Sequence, residues 1–382
     1  MTRRNLLWLV PTAAVLLFVL PMGAAAHPVN SPNPTVSLAP QGAVFTMTND
    51  PSGNAVVAYV IGPGGSLTPA GHFGTHGKGT GVSLADQGAL ALTDDHRWLL
   101  VVDAGSNAVS VFHVNALAGN SPILSFVDRV SSHGTLPVSI AIHGSLVYVL
   151  NAGTSTVPGS LFGFVLADHG LLLPLPGSSR ALSTSASTGP AEVAFNPAGT
   201  VLVVTEKATS VLDTYTVGSH GYASGPTVTP SSGSTPYGFA FGRDGALVVS
   251  DAGPGALSSY AVAHSGVLTV ESSAVPDGQT AACWVATVDG GQFAYTSNAH
   301  SDSISTYGIG PHGVLTLLVP VAATTGAADT DLAVGGSHGH YLFVYDAGAA
   351  EIEAFAIGSG ASLTLLSAVF ALPATAEGLA AF

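Results

Sequence analysis

The sequence predicts an all-β fold, a seven-bladed β-propeller closed by pairing of its N- and C-terminal strands, and three observations carry that expectation. First, a short run of Val, Leu, Phe and Tyr ends seven times on an amide or an acid, at Asn49, Asp103, Asn151, Glu206, Asp251, Asn298 and Asp346. Second, an aromatic residue follows each run at a fixed place, giving the column Tyr59, Phe112, Phe164, Tyr215, Tyr260, Tyr307 and Phe355. Third, these columns recur about every 49 residues, a period suited to one four-stranded blade per repeat.

Each element of the repeat has its own reason. A blade opens with a strand of small residues, as in 138–142, 192–196, 238–242 and 331–335, each with Ala near its centre. Such strands suit the crowded axis where blades converge. A turn such as Asn196-Pro197-Ala198-Gly199 leads to the second strand, which ends on the amide or acid. The third strand carries the aromatic, expected to pack between neighbouring blades. A Gly-x-Leu turn then starts the outer strand, at Gly65-Ser66-Leu67, Gly170-Leu171-Leu172, Gly266-Val267-Leu268 and Gly313-Val314-Leu315. At the ends, Glu377–Phe382 reads as an inner strand without successors and Val44–Asn49 as a second strand without a predecessor. Joined, they complete the seventh blade and remove the free sheet edges. The domain is expected to run from 42 to 382.

Residues 1–26 read as an export signal: Arg3 and Arg4 precede an apolar run from Leu6 to Leu20 and a Gly-Ala-Ala-Ala stretch. The Arg pair also loosely resembles a twin-arginine signal. Residues 27–41, rich in proline, form a leader. The expected mature protein is secreted or periplasmic and monomeric, with no later apolar run long enough to span a membrane. Its one cysteine, Cys283, leaves stability to the core and to ring closure.

Composition narrows the partners. The formal net charge is −14, only 8% of residues are charged, and 47% are hydrophobic. Without Arg3 and Arg4, the cationic side chains are Lys78, Arg97, Arg129, Arg180, Lys207 and Arg243. Such a surface repels phosphate backbones and anionic lipid, which argues against nucleic acid and against electrostatic membrane binding.

The strand-ending Asn or Asp, the third-strand aromatic and the Gly-x-Leu turn, repeated over 42–382, resemble the lactonase-type seven-bladed propellers. These include bacterial 6-phosphogluconolactonases and fungal carboxymuconate lactonizing enzymes. The resemblance implies lactone opening or closure in one mouth of the ring, by His, Arg and Glu side chains. Residue by residue, the family glutamate in an "NEL" setting matches Glu206 in Thr205-Glu206-Lys207. The arginine and histidine of the family's "GPRH" setting fall on Ala191 and Glu192. The arginine of "SNRGHDSI" falls on Ala299, and the histidine of the "PHS" setting falls near Gln87-Gly88-Ala89. Of the family's Glu, two Arg and the His of the "PHS" setting, the Glu alone is therefore present, and the cations that would hold a sugar-acid carboxylate or phosphate are missing.

Loops entering the inner strands and leaving the second strands share one face of a propeller. That face is expected to gather Gln87, Asp103, Glu192, Lys207, Asp251, Trp284, Asp331 and Asp346 around Glu206, in an acidic mouth that holds a small molecule, a cation or a protein partner. The oxygen-rich mouth would suit a divalent cation as cofactor. The alternative is a diverged lactone or ester hydrolase in which Glu206, tuned by Glu192, acts as general base with Lys207 beside it. Against both stands a structural reading: Asn and Asp close strands by accepting hydrogen bonds from the following turn. Glu is a poor turn former, which singles out Glu206. The histidines of Asp168-His169-Gly170, Ser219-His220-Gly221 and Pro311-His312-Gly313 read as turn residues, and His338 and His340 fall in a hairpin on the opposite face.

Overall fold

The computed structural model describes residues 40–117, 122–184, 187–288 and 290–382. The export segment 1–26 and most of the leader lie outside the described residues. The described chain forms seven antiparallel sheets, each with the expected inner-to-outer strand order.

Blade I closes the ring. Its inner strand, Glu377–Ala381, pairs with Gly42–Met47, which pairs onward with Ala55–Ile61 and Leu67–Gly74. Blades II to VII have inner strands Leu90–Leu92, Pro137–His143, Pro190–Phe195, Pro236–Phe241, Ala282–Val288 and Asp329–Gly335. The closing strand is hydrogen-bonded at Ala43 N–H to Phe382 O (3.2 Å) and at Phe382 N–H to Ala43 O (3.1 Å). The aromatic column lies on the third strands, and all seven side chains are buried. Each such burial is worth about 1.5–3 kcal/mol against solvent exposure.

Neighbouring blades are keyed by the Gly-x-Leu turns. Gly170 of blade III (φ +80°) sits where an added Cβ would overlap the Trp98 ring of blade II, and Gly313 (φ +81°) lies against Ala246 of blade V. Glycine meets both demands there: a left-handed backbone and no volume toward the neighbour. Tyrosine hydroxyls add polar ties. Tyr148 donates to Gly221 O (2.8 Å) in the next blade, and Tyr295 to Ala361 O (2.9 Å). Among the described residues, no helix is long and apolar enough to cross a membrane.

Candidate functional site

The inner strands share a local irregularity that explains most of the axial acids. In blades III to VII the register of inner and second strands shifts near the strand start, as between Pro190 and Glu192 or Pro236 and Phe239. A shift of this kind releases a backbone N–H from the ladder, and a buried N–H needs another acceptor. An acceptor is supplied close to the axis each time. Ser139 Oγ accepts from Val193 N–H (3.1 Å), Glu192 Oε2 from Phe239 N–H (2.6 Å), and the two Asp331 carboxylate oxygens from Leu332 and Leu379 N–H (2.7 and 2.8 Å). In blade V the corresponding position is Gly238, and the acceptor for Val285 N–H is Gln87 Oε1 (3.0 Å).

Gln87 belongs to the connection from blade I to blade II, and this segment plugs the channel. Gln87 N–H donates to Ala191 O (3.0 Å), and its Nε2 donates to Val285 O (3.0 Å) and Phe239 O (3.4 Å). Gly88 O accepts from Ile140 N–H (2.9 Å), and Leu84 N–H donates to Glu377 Oε1 (3.0 Å). One short segment thus touches the inner strands of five blades, which only the axis permits. A methyl group at Gly238 would overlap Gln87 Oε1, so the missing side chain makes room for the plug.

Asp86 is the exception to this structural employment. Its backbone O accepts from Trp284 Nε1 (2.7 Å), but neither carboxylate oxygen has a hydrogen-bond partner, although the residue is only 3% exposed. Burial pushes its pKa well above the usual carboxylate range, Glu377 and Asp331 add to that, and Lys207 opposes it. The Lys207 ammonium donates to Ala85 O and Pro190 O and stands 4.6 Å from the Tyr237 ring centroid. Burial lowers its pKa to about 8 against the pull of Asp86, Cys283 and Glu377. Burial likewise raises Glu377 to about 7. Lys207 and Glu377 therefore titrate near neutrality beside the raised Asp86, the pattern of sites that bind or move protons.

Beside this patch, between blades V and VI, a cavity of about 420 Å³ opens at the mouth. Tyr237 and Trp284 form its aromatic wall, with ring centroids 5.0 Å apart, and Cys283, Thr235, Thr280 and His300 are among the other residues that line it. Tyr237 carries the contact to Lys207 and Trp284 the one to Asp86, so this wall joins the cavity to the patch.

The sequence-predicted residues thus fall into two sets. Gln87, Glu192, Lys207, Trp284 and Asp331 meet at the plugged axis. Asp103, Glu206, Asp251 and Asp346 do not join them; they are buried inside the blades. Asp103 accepts from Thr75, Ser110 and Asn54, and Asp251 from Ser258 and Ser231. Glu206 Oε1 accepts from Ser183 N–H (3.0 Å), and its Oε2 from Ser183 Oγ (2.6 Å) and Thr209 Oγ1 (2.5 Å). Burial and Glu206 raise Asp213, on the third strand of the same blade, to about 8. The upward shift favours the protonated carboxyl, which stands beside Glu206 at the position Ser110 holds beside Asp103. Sequence reading missed Asp86 and Tyr237. The signal that could have exposed Asp86 is the long connection 75–89 ahead of an inner strand of only three residues.

Solved structures share this fold at low sequence identity. A periplasmic gluconolactonase of Pseudomonas aeruginosa superposes with a TM-score of 0.71 at 17% identity, over 88% of this chain and 98% of that one. A candidate 6-phosphogluconolactonase of Bacteroides fragilis gives 0.68 at 17% identity, over 90% and 98%. The virginiamycin B lyase of Staphylococcus aureus gives 0.54 at 13% identity, over 78% and 88%. No family model and no curated protein matches the sequence. The fold is that of the lactonase-like seven-bladed propellers, and a lyase also carries it, so chemistry has to be argued from the site.

Proposed function

We propose that the protein binds a small molecule at the propeller mouth, with the ligand's apolar body against Tyr237 and Trp284 and a carbonyl or carboxylate oxygen directed to Lys207. The observation that carries this reading is the aromatic-walled cavity of about 420 Å³ beside the half-buried Lys207 ammonium. Small-molecule sites have this form: concave, largely apolar, with a few polar groups that fix orientation. Lys207 has three donor protons, and the two backbone oxygens engage two of them.

The gluconolactonase neighbours favour a second reading, hydrolysis of a lactone or ester with Glu206 as general base, without the expected tuning by Glu192, which is engaged at the axis by Phe239 N–H. Glu206 would then exchange its Ser183 and Thr209 donors for a water. One experiment separates the readings: a panel of aromatic and aliphatic lactones and their open carboxylates, assayed with the purified protein for binding by calorimetry and for proton release by pH-stat. Saturable binding without turnover, weakened at least tenfold by Tyr237→Ala, supports the binding protein. Turnover abolished by Glu206→Gln supports the hydrolase. Under either reading the protein acts after export, as the apolar run at 6–20 and the periplasmic neighbour suggest. N-terminal sequencing of the mature form should begin at His27.

A further inference from the structure

Blade VII carries a second set of ionisable groups, away from the mouth pocket. Asp346 ends its second strand, and Glu351 and Glu353 lie on its third strand, with Asp346 directly paired to Glu351. All three are buried, and each offers an oxygen within 4.8 Å of the others. Glu353 is 8% exposed, and its Oε2 has no hydrogen-bond partner. The loop at Gly326 covers the group: a Cβ built there would lie 2.6 Å from Glu351 Oε1 and 3.0 Å from Asp346 Oδ2, so the two oxygens converge on one point.

The other blades show what this position needs for folding alone. In blade VI the corresponding residues are Asn298, Ser303 and Ser305, and Asn298 Nδ2 donates to Ser303 Oγ (3.3 Å) and Ser305 Oγ (2.8 Å). In blades II and V a third-strand serine donates to the acid, Ser110 to Asp103 (2.6 Å) and Ser258 to Asp251 (2.5 Å). Blades II, V and VI are thus satisfied by neutral hydroxyls and blade IV sets one second acid, Asp213, beside Glu206, whereas blade VII replaces both serines of the trio with glutamates. Three carboxylates this close repel one another unless protons or a cation offset the charge.

We infer that Asp346, Glu351 and Glu353 form a binding site for a hard divalent cation of the calcium class, seated between the second and third strands of blade VII beneath the loop at Gly326. Three carboxylates supply up to six oxygens, the ligand type that calcium prefers. The site lacks nitrogen and sulfur donors from these residues, which makes zinc or copper a poor fit. The cation links the second and third strands beneath the covering loop, so its effect is on the stability of the blade that packs against the closing strand.

The test is thermal unfolding of the full chain after chelation, with and without calcium chloride at about 1 mM, the range over which extracellular calcium modules bind. A rise in melting temperature of several degrees is expected, with magnesium giving less. The triple substitution Asp346→Asn, Glu351→Ser, Glu353→Ser copies the trio of blade VI and should fold, melt cooperatively and ignore calcium. Glu353→Gln alone should weaken calcium binding at least tenfold by calorimetry. A wild-type melting temperature indifferent to calcium and chelator would overturn the inference and leave shared protons to offset the charge. An undiminished calcium response in the triple variant would overturn it equally.

Discussion

Gln87→Ala removes the side chain that stands on the propeller axis, and its cost can be worked from the hydrogen bonds it makes. Gln87 Oε1 is the acceptor for Val285 N–H, a group released from its ladder by the shift between Ala282 and Val285. Leaving a buried donor unsatisfied costs about 1–3 kcal/mol. The Nε2 bonds to Val285 O and Phe239 O are lost too, at about 0.5–1.5 kcal/mol for a typical bond. A total of roughly 2–6 kcal/mol follows, less whatever a water entering the vacated space restores. In a domain of this size that lowers the melting temperature by roughly 4–24 °C, taking about 2–4 °C per kcal/mol. Gly238→Ala attacks the same contact from the other side, because the new methyl overlaps Gln87 Oε1; overpacking of this kind costs about 1–3 kcal/mol. The two changes should be non-additive. With the amide gone, the methyl added at position 238 fills part of its space, so the double variant should lose less than the sum of the singles. Differential scanning calorimetry and urea midpoints on the four proteins give the cycle. A Gln87→Ala protein melting within about 1 °C of wild type, or strict additivity, would refute the plug as a structural element.

Ring closure is tested by deleting residues 376–382, which removes the inner strand of blade I and the Leu379 N–H that Asp331 accepts; the product should aggregate on expression, and unchanged melting would contradict the closure. Stability should fall as pH rises from about 5 to 8. Asp251, Glu377 and Asp213 are raised in the fold to about 6, about 7 and about 8. The folded state therefore holds protons that the unfolded state has released, and each group's penalty is complete once pH passes its folded value. Lys207, lowered to about 8, acts in a different window: its penalty is present below pH 8 and is relieved between there and about 10.5. Asp213→Asn keeps a donor toward Glu206 at every pH, so it should leave stability unchanged at pH 5 and raise it at pH 9; an equal effect at both would show that Asp213 carries no titrating proton.

Much of the fold was legible because each level of the repeat has a local cause. Small residues mark the axis, an aromatic marks the third strand, and glycine marks a turn that faces the next blade. The closing strand was legible because Glu377–Phe382 and Val44–Asn49 are each incomplete alone. The site was less so. An aspartate in the connection 75–89, among Gly, Ser and Ala, looks like a solvated turn residue; only the contacts to five inner strands place Asp86 inside. Glu206 stood out as an acid that does not favour turns. Its partners Ser183, Thr209 and Asp213 come from the loop entering its own blade, the turn after it and the third strand, and no spacing in the sequence announces them together. Gln87 was singled out through the family pattern, yet its role as acceptor depends on the missing side chain at Gly238, which is distant in sequence.

The most direct test of the mouth pocket as the binding site is the emission of Trp284 in a Trp98→Phe background, where it is the remaining tryptophan apart from Trp8 of the export segment. A ligand from the lactone and carboxylate panel that binds by calorimetry should quench or shift that emission with the same affinity, and Tyr237→Ala should weaken both signals together. Calorimetric binding that leaves Trp284 emission unchanged would contradict the account and move the site elsewhere on the ring.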